Sequence, residues 1–370
     1  MSSSDIADEL NRRILAVAED QMRGFCEDPF AAIAELCHVS EQQVLERLLS
    51  MLKRGSILRL RQTLPTTALT QGCLIAWQIP AHALASAFDW LEQHDPFTGH
   101  IVIRKAQDVS APGADYRLWT TLKLPALGAD IDEHCHCIAS HIGAQDWACM
   151  PIVGMFTLSV GHVRRAGLPV GALQAEPPAM QKPPQLQLTE QEWNVLLSFR
   201  EPLQPSEITP RPWDSRARAL GLQPADFCSI ASSLAERGAL GRFAAVLNHR
   251  LPANPYSGTG SSALFMWAVP PGYEEAAGSA CGRHVCMTHC YWRSGAERFG
   301  GVQIMGVVHA QDPQGVLAHK AAIDAYLAQQ GIRVLHTAIF WTCRARIHPS
   351  EFDPAAYQRW RSCYLAGKTH

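Results

Sequence analysis

The sequence predicts an α+β fold: a tandem duplication in which each copy is a winged helix-turn-helix followed by a small ferredoxin-like domain. Three observations predict it. Pro29 to Gly55 aligns without a gap on Pro212 to Gly238, the strand-like LIAWQIP at Leu74 to Pro80 recurs as LFMWAVP at Leu264 to Pro270, and a proline-rich stretch separates the two copies. Length agrees, because 370 residues exceed what one hydrophobic core usually supports.

In each aligned segment a proline and an aromatic residue, Pro29-Phe30 or Pro212-Trp213, open a first short helix. A turn follows at His38-Val39-Ser40 or Gly221-Leu222-Gln223. A second helix then runs to a closing glycine, Gly55 or Gly238, with Ser40 as the N-cap in the first copy. Helices are also expected from Leu10 to Met22 and from Thr189 to Phe199, and wing strands at Ile57 to Leu64 and Leu240 to Leu247. Beyond the wings the order is strand, helix, strand, strand, helix, strand, which is ferredoxin-like. The strands begin at Leu74 and Leu264. Helices follow at Ala81 to His94 and Tyr273 to Ala280, then strands at His100 to Arg104 and His289 to Arg293 that each carry His-x-x-x-Arg. Third strands (Tyr116 to Leu124; Val302 to His309), second helices (Ala129 to Ile142; Gln314 to Gln330) and last strands (Gly154 to Val160; Val334 to Phe340) complete each copy.

The boundaries implied are 1–66 and 67–170 for the first copy, 171–187 for the linker, 188–250 and 251–350 for the second copy, and 351–370 for a tail. The tail is expected as a short helix on the second copy. The two ferredoxin-like sheets are expected to pack on each other within one chain, so that a monomer with an internal pseudo-dimer is complete, a homodimer being the other arrangement.

A net charge of −2 gives no general attraction for polyanions. The second helix of the first motif starts Glu41-Gln42-Gln43, and its counterpart Pro224-Ala225-Asp226. Acidic side chains there repel phosphates, so nucleic acid is not an expected partner. No apolar run is long enough to span a bilayer and the N-terminus lacks a signal-peptide layout, which makes a membrane partner unexpected and the cytoplasm the default location. Twelve cysteines without a CxxC pair read as thiols. His134, Cys135, His136, Cys137 and His141 read as one helix whose residues point in different directions, rather than as a zinc site.

Several segments resemble a known family. Gly241 to Arg250 (GRFAAVLNHR) is similar to the wing motif of the siroheme decarboxylase branch of the Lrp/AsnC plan, and Thr288 to Arg293 (THCYWR) to its histidine strand. Val308-His309-Ala310 is similar to the end of the strand that follows, Tyr116 to Leu122 (YRLWTTL) to its aromatic strand, and Asp28 to Glu35 (DPFAAIAE) to its opening helix. The first copy keeps His100 but carries Val102 where the family has tyrosine, and Val302 replaces a tyrosine in the second copy.

The resemblance implies an enzyme, a carboxy-lyase that removes CO₂ from the acetate side chains of siroheme to give didecarboxysiroheme, with no added cofactor. Family members work as two related subunits or as a fused pair. The residue types suit the chemistry: carboxylate-rich tetrapyrroles need fixed cations, for which Arg242, Arg250, Arg293 and Arg104 are candidates. Loss of CO₂ leaves carbanion character at a methylene, and histidine can supply the proton near neutral pH. His289 is the expected general acid, with His249 as second donor, His100 at the repeat-equivalent position and Tyr291 as relay. Either His249 or His289 is the candidate axial ligand to the substrate's iron. Tyr116, Trp119 and His309 are candidate substrate contacts, the first two being equally readable as core. Binding of haem, or a different haem-dependent reaction on the same scaffold, is the alternative, and a ligand-responsive transcription regulator has only the fold behind it.

Overall fold

The computed structural model describes residues 8–64, 70–125, 128–158, 168–182, 186–248, 260–347 and 350–364. The chain divides into two compact units that each draw on both repeats: one gathers 1–68, 159–167 and 184–259, the other 69–158, 168–183 and 260–370.

In the first unit, α1 (Glu9–Ala18), α2 (Pro29–Cys37) and α3 (Glu41–Lys53) precede β1 (Ile57–Gln62), while α6 (Glu190–Ser198), α7 (Asp214–Ala219) and α8 (Pro224–Glu236) precede β6 (Phe243–Leu247). Local chemistry sets these boundaries. Ser40 caps α3 in a reciprocal capping box with Gln43, and Thr189 does the same for α6 with Glu192, so backbone donors that a helix start leaves orphaned are satisfied. Gly55 and Gly238 adopt φ of 74° and 82° just past α3 and α8, a left-handed conformation that glycine reaches without Cβ strain. The two strands pair antiparallel, Leu60 opposite Ala245. Phe243 then fits edge-on against Phe30 of one repeat and Trp213 of the other, giving the two repeats one aromatic core.

The second unit is a closed barrel. The first repeat supplies β2 (Thr70–Gln78), β3 (Thr98–Ala106), β4 (Tyr116–Pro125) and β5 (Asp146–Leu158), and the second β7 (Ser261–Ala268), β8 (Met287–Arg293), β9 (Ile304–Ala310) and β10 (His336–Ile347). Around the barrel the order is β10-β3-β4-β2-β5-β8-β9-β7. Helices α4 (Leu84–His94) and α5 (Ile131–Ile142) cover the first repeat's strands, and α9 (Glu274–Gly282) and α10 (Pro313–Gln329) the second's. Strand alternation separates two kinds of core. Cys73, Ile75, Trp77, Ile101, Leu118 and Leu122 face the helices in the first half, as Ala263, Phe265, Trp267 and Cys290 do in the second. Their sequence neighbours Ala76, Val102, Trp119, Met266, Met305 and Phe340 form a separate cluster that fills the barrel interior.

Three expectations need correction. The two sheets do not stack as separate layers: their edges hydrogen-bond, β3 to β10 and β5 to β8, and the barrel closes through those seams. The last strands are accordingly longer than local pattern suggested, because β5 starts at Asp146 and runs through Pro151, and β10 continues to Ile347. Finally, α11 (Pro354–Tyr364) covers the first half rather than the second, where Tyr357 and Trp360 join the core with Phe97 and Leu91. The described part of the linker lies where the two halves join, with Gln181 pairing with Met155 of β5 and the Pro178 carbonyl accepting from Ser279 of α9.

Candidate functional site

Every neighbouring pair of strands in the barrel is antiparallel. Strand direction therefore alternates around the ring, and β3 and β8, four places apart, run in the same sense. Their first residues lie at one end of the barrel and their last at the other. His100 opposes Ile347 and His289 opposes Leu158, both of which are exposed, so this end reaches the surface. At the opposite end Tyr116, Trp119, Phe299 and Phe340 close the interior with ring-to-ring contacts.

Alternation also fixes which side chains look inward. Ile101 of β3 and Cys290 of β8 face the helices, so His100, Val102 and Arg104, and in the other half His289, Tyr291 and Arg293, line the inner face. The sequence-predicted His-Arg pairs thus converge on one barrel, in two equivalent rows that start at the same mouth.

The two arginines are the unusual feature. Arg104 and Arg293 are 6% and 5% exposed, and neither meets a carboxylate within ion-pair distance among the described residues. Arg104 donates from Nη1 to Thr342 Oγ1 at 2.9 Å while its buried Nε finds no partner. Arg293 donates from Nη1 to the Met150 carbonyl at 2.7 Å and lies 4.8 Å from the centre of the Tyr291 ring. Thr342 and Ile152 oppose Arg104 and Arg293 in the ladders, so the placements are equivalent. Burial lowers both pKa values, that of Arg104 to about 10, yet both remain charged near neutrality. A buried cation without a counter-ion costs several kcal/mol, which an anionic ligand would offset.

Within the second row His289 Nδ1 lies 3.0 Å from Thr288 Oγ1, and its ring stacks on Tyr291 with centroids 6.2 Å apart. Burial raises the Tyr291 pKa, opposed by the Arg293 charge, so the phenol keeps its proton. His309, the last residue but one of β9, lies on the inner face at the same mouth, opposite Ser262. Its repeat counterpart is Lys123 on β4: Trp267 opposes Ile304 as Trp77 opposes Leu118, and five residues further on stand His309 and Lys123. Sequence reading missed Lys123, although aligning the third strands from these tryptophan partners points to it.

The remaining candidates fall elsewhere. Trp119, fully buried with its indole N–H on the Tyr116 carbonyl, and Tyr116, whose hydroxyl donates to Asp146 at 2.6 Å, belong to the packed end. Core is therefore the reading that their surroundings favour. Arg242 is in the first unit, where its Nε donates to the Glu19 carbonyl. Burial lowers its pKa against the opposing charges of Asp20 and Glu19. His249 and Arg250 lie outside the described residues. On α5, His134, Cys135 and Cys137 are buried and His136 and His141 exposed, so the segment spreads its donors around a helix; the described residues hold no group of three or more metal-ligating side chains. A surface cleft of about 480 Å³, lined by Asp324, Ala328 and Thr337, lies apart from the inward rows.

No family model matches the chain. Among curated proteins it is 25% identical over 283 residues to the siroheme decarboxylase NirDL subunit of Paracoccus pantotrophus, covering 76% of this chain and 79% of that one. It is 22% identical over 335 residues to the siroheme decarboxylase of Hydrogenobacter thermophilus, covering 88% and 91%. Among solved structures, the crystal structure of the siroheme decarboxylase NirDL superposes with a TM-score of 0.69 at 17% identity, over 97% of this chain and 99% of that one. The same protein in complex with an iron-uroporphyrin III analogue gives 0.67 at 16% identity. At such identities the structural likeness establishes the mixed α/β fold.

Proposed function

Because the chain belongs with the siroheme decarboxylases, we propose that it removes CO₂ from the acetate side chains of siroheme to give didecarboxysiroheme, without an added cofactor. The observation that carries this reading is the pair of buried guanidinium groups, Arg104 and Arg293, which meet no carboxylate among the described residues and lie behind a mouth flanked by His100 and His289. An eight-stranded barrel has room inside for little more than its own side chains, so the macrocycle stays outside and only carboxylate arms reach inward. The buried arginines receive those arms as charge-assisted, geometrically fixed partners.

In the reaction the bond between methylene and carboxylate breaks, CO₂ leaves and the electron pair stays on the methylene carbon. A proton must reach that carbon to make the methyl group. His289 is the donor in this reading, oriented by Thr288 and backed by the protonated phenol of Tyr291, which can resupply it. His100 occupies the equivalent place in the first row, and His309 and Lys123 contact outer carboxylates.

Each repeat is further read as a winged helix-turn-helix and a ferredoxin-like domain of Lrp/AsnC type. The three helices before β1 and before β6 support this, as do the equivalent strand orders β5-β2-β4-β3 and β10-β7-β9-β8. One chain then carries both halves of the pseudo-dimer. The test is anaerobic incubation with siroheme followed by mass measurement of the pigment. Loss of two CO₂ is expected. Pigment that binds but keeps its mass would sink the reading, and a haem Soret band in the protein as isolated would move the assignment to haem.

A further inference from the structure

Two thiols meet on the helix-facing side of the first half. In the β2–β5 ladder Cys73 opposes Pro151 and Cys149 opposes Ile75, so the two cysteines share a face of adjacent antiparallel strands as diagonal neighbours. Both pack on the same core beneath α5, and each thiol acts on the other's ionisation. Cys73 is buried, whereas Cys149 is half-buried at the margin of the same core. The Cys73 thiol foremost, then the Arg293 charge, lower the Cys149 pKa against burial and the Asp132 charge, while Cys149 foremost, then burial, raises that of Cys73. The pair therefore has a half-buried nucleophile and a sheltered resolving thiol.

We propose that Cys73 and Cys149 form an oxidative modification site, a dithiol that a hydroperoxide closes reversibly to a disulfide. The Cys149 thiolate attacks the peroxide, an S–O bond forms as the O–O bond breaks, and hydroxide leaves. Cys73 sulfur then attacks the Cys149 sulfenic acid, the S–S bond forms, the S–O bond breaks, and the Cys73 proton departs with the oxygen as water. Two thiols are oxidised, and one hydrogen peroxide is reduced to two waters.

Diagonal strand neighbours stand roughly 7–8 Å apart. Disulfides need α-carbons at about 4.4–6.8 Å, so closure draws β2 and β5 together. Met150, next to Cys149, supplies the carbonyl that holds Arg293, and that clamp must shift with the strand.

The test is peroxide treatment of the native full-length chain, then alkylation in denaturant and peptide mass mapping. Titratable thiols are expected to fall by two from twelve, with Cys73 and Cys149 in one cross-linked peptide that dithiothreitol separates. Cys73→Ser should leave a dimedone-reactive Cys149, and Cys149→Ser should leave Cys73 unoxidised. Twelve thiols remaining, or Cys149 overoxidised without a link to Cys73, would overturn the proposal. A second arm rests on the siroheme reading: the oxidised chain should bind siroheme at least tenfold more weakly, and Cys73→Ser treated alike should not. Equal affinities would remove the link to Arg293, whereas failure of all siroheme binding would strike the functional reading and leave the thiol result standing.

Discussion

The two halves of the barrel carry the same inward row with different middles. In the second half the sequence is His289, Tyr291, Arg293; in the first it is His100, Val102, Arg104, and Val102 is buried in the interior core. Both rows keep the imidazole at the mouth and the guanidinium inside, but only the second places a phenol between them, 4.8 Å from the Arg293 guanidinium. The two rows thus share the inner cation and differ in the phenol, which under the proposed reaction is the proton-handling residue. Binding is expected to be shared between the halves, and proton transfer to be concentrated in the second.

The sharpest way to break that asymmetry is to remove each histidine in turn. His289→Ala is expected to lower the rate of CO₂ loss by roughly 10²–10⁴, the usual contribution of a positioned proton donor, and His100→Ala by less than about tenfold. Single-turnover mass analysis of siroheme reads both. Equal losses would show that the halves contribute alike and that the missing tyrosine does not matter.

The arginines should behave in the opposite, symmetric way. Arg104→Met and Arg293→Met are each expected to weaken siroheme binding by about 2–5 kcal/mol, the range for truncating one partner of a buried charged pair. In the ligand-free chain each substitution removes an unpaired buried charge and should raise the melting temperature. Isothermal titration and thermal melts taken together separate a clamp from a structural arginine, because a structural one would lose stability when replaced.

A smaller effect probes the middle position itself. Tyr291→Phe keeps the ring stack on His289 but removes the hydroxyl, and the rate is expected to fall about tenfold with little change in affinity. Val102→Tyr should not transplant the function. Val102 is enclosed by the packed interior, and overfilling such a site costs about 1–3 kcal/mol, visible as a lower denaturation midpoint.

Much of this was legible in the sequence where the information is local or repeated. The cap at Ser40, the glycine closures at Gly55 and Gly238, and the paired His-x-x-x-Arg strands all follow from short local patterns, the last two read twice. What was not legible depends on partners distant in the chain. Pro151 reads as a strand breaker, yet β5 passes through it because the strand continues past β2 to meet β8, with the ladder shifting register just beyond. The docking of α11 on the first half likewise rests on Trp360 reaching the His94 carbonyl across the length of two repeats. Lys123 hides because its counterpart is a histidine, so no shared residue type marks the position.

The helix-facing cores of the two halves differ as well, in how each houses a buried histidine, and that difference predicts a pH dependence of stability from the second half. In the first half His134 sits 3.5 Å from the Asp95 carboxylate and under Trp360, with ring centroids 4.4 Å apart. In the second half His284 is 1% exposed, neither ring nitrogen has a hydrogen-bond partner, and the charged or titratable neighbours that act on it are His319 and Arg283. Burial foremost, then those two neighbours, depress its pKa from 6.5 to about 4. Between these values the unfolded chain binds a proton that the folded chain refuses, so acid favours unfolding. The stability carried by neutral His284 is whole above pH 6.5, declines as pH falls, and is gone below about 4. Melting temperature should therefore drop across that window in the native chain and drop less steeply in His284→Leu, where no imidazole remains to charge. Parallel slopes for the two proteins would assign the acid sensitivity to some other group and leave the two cores equivalent in this respect.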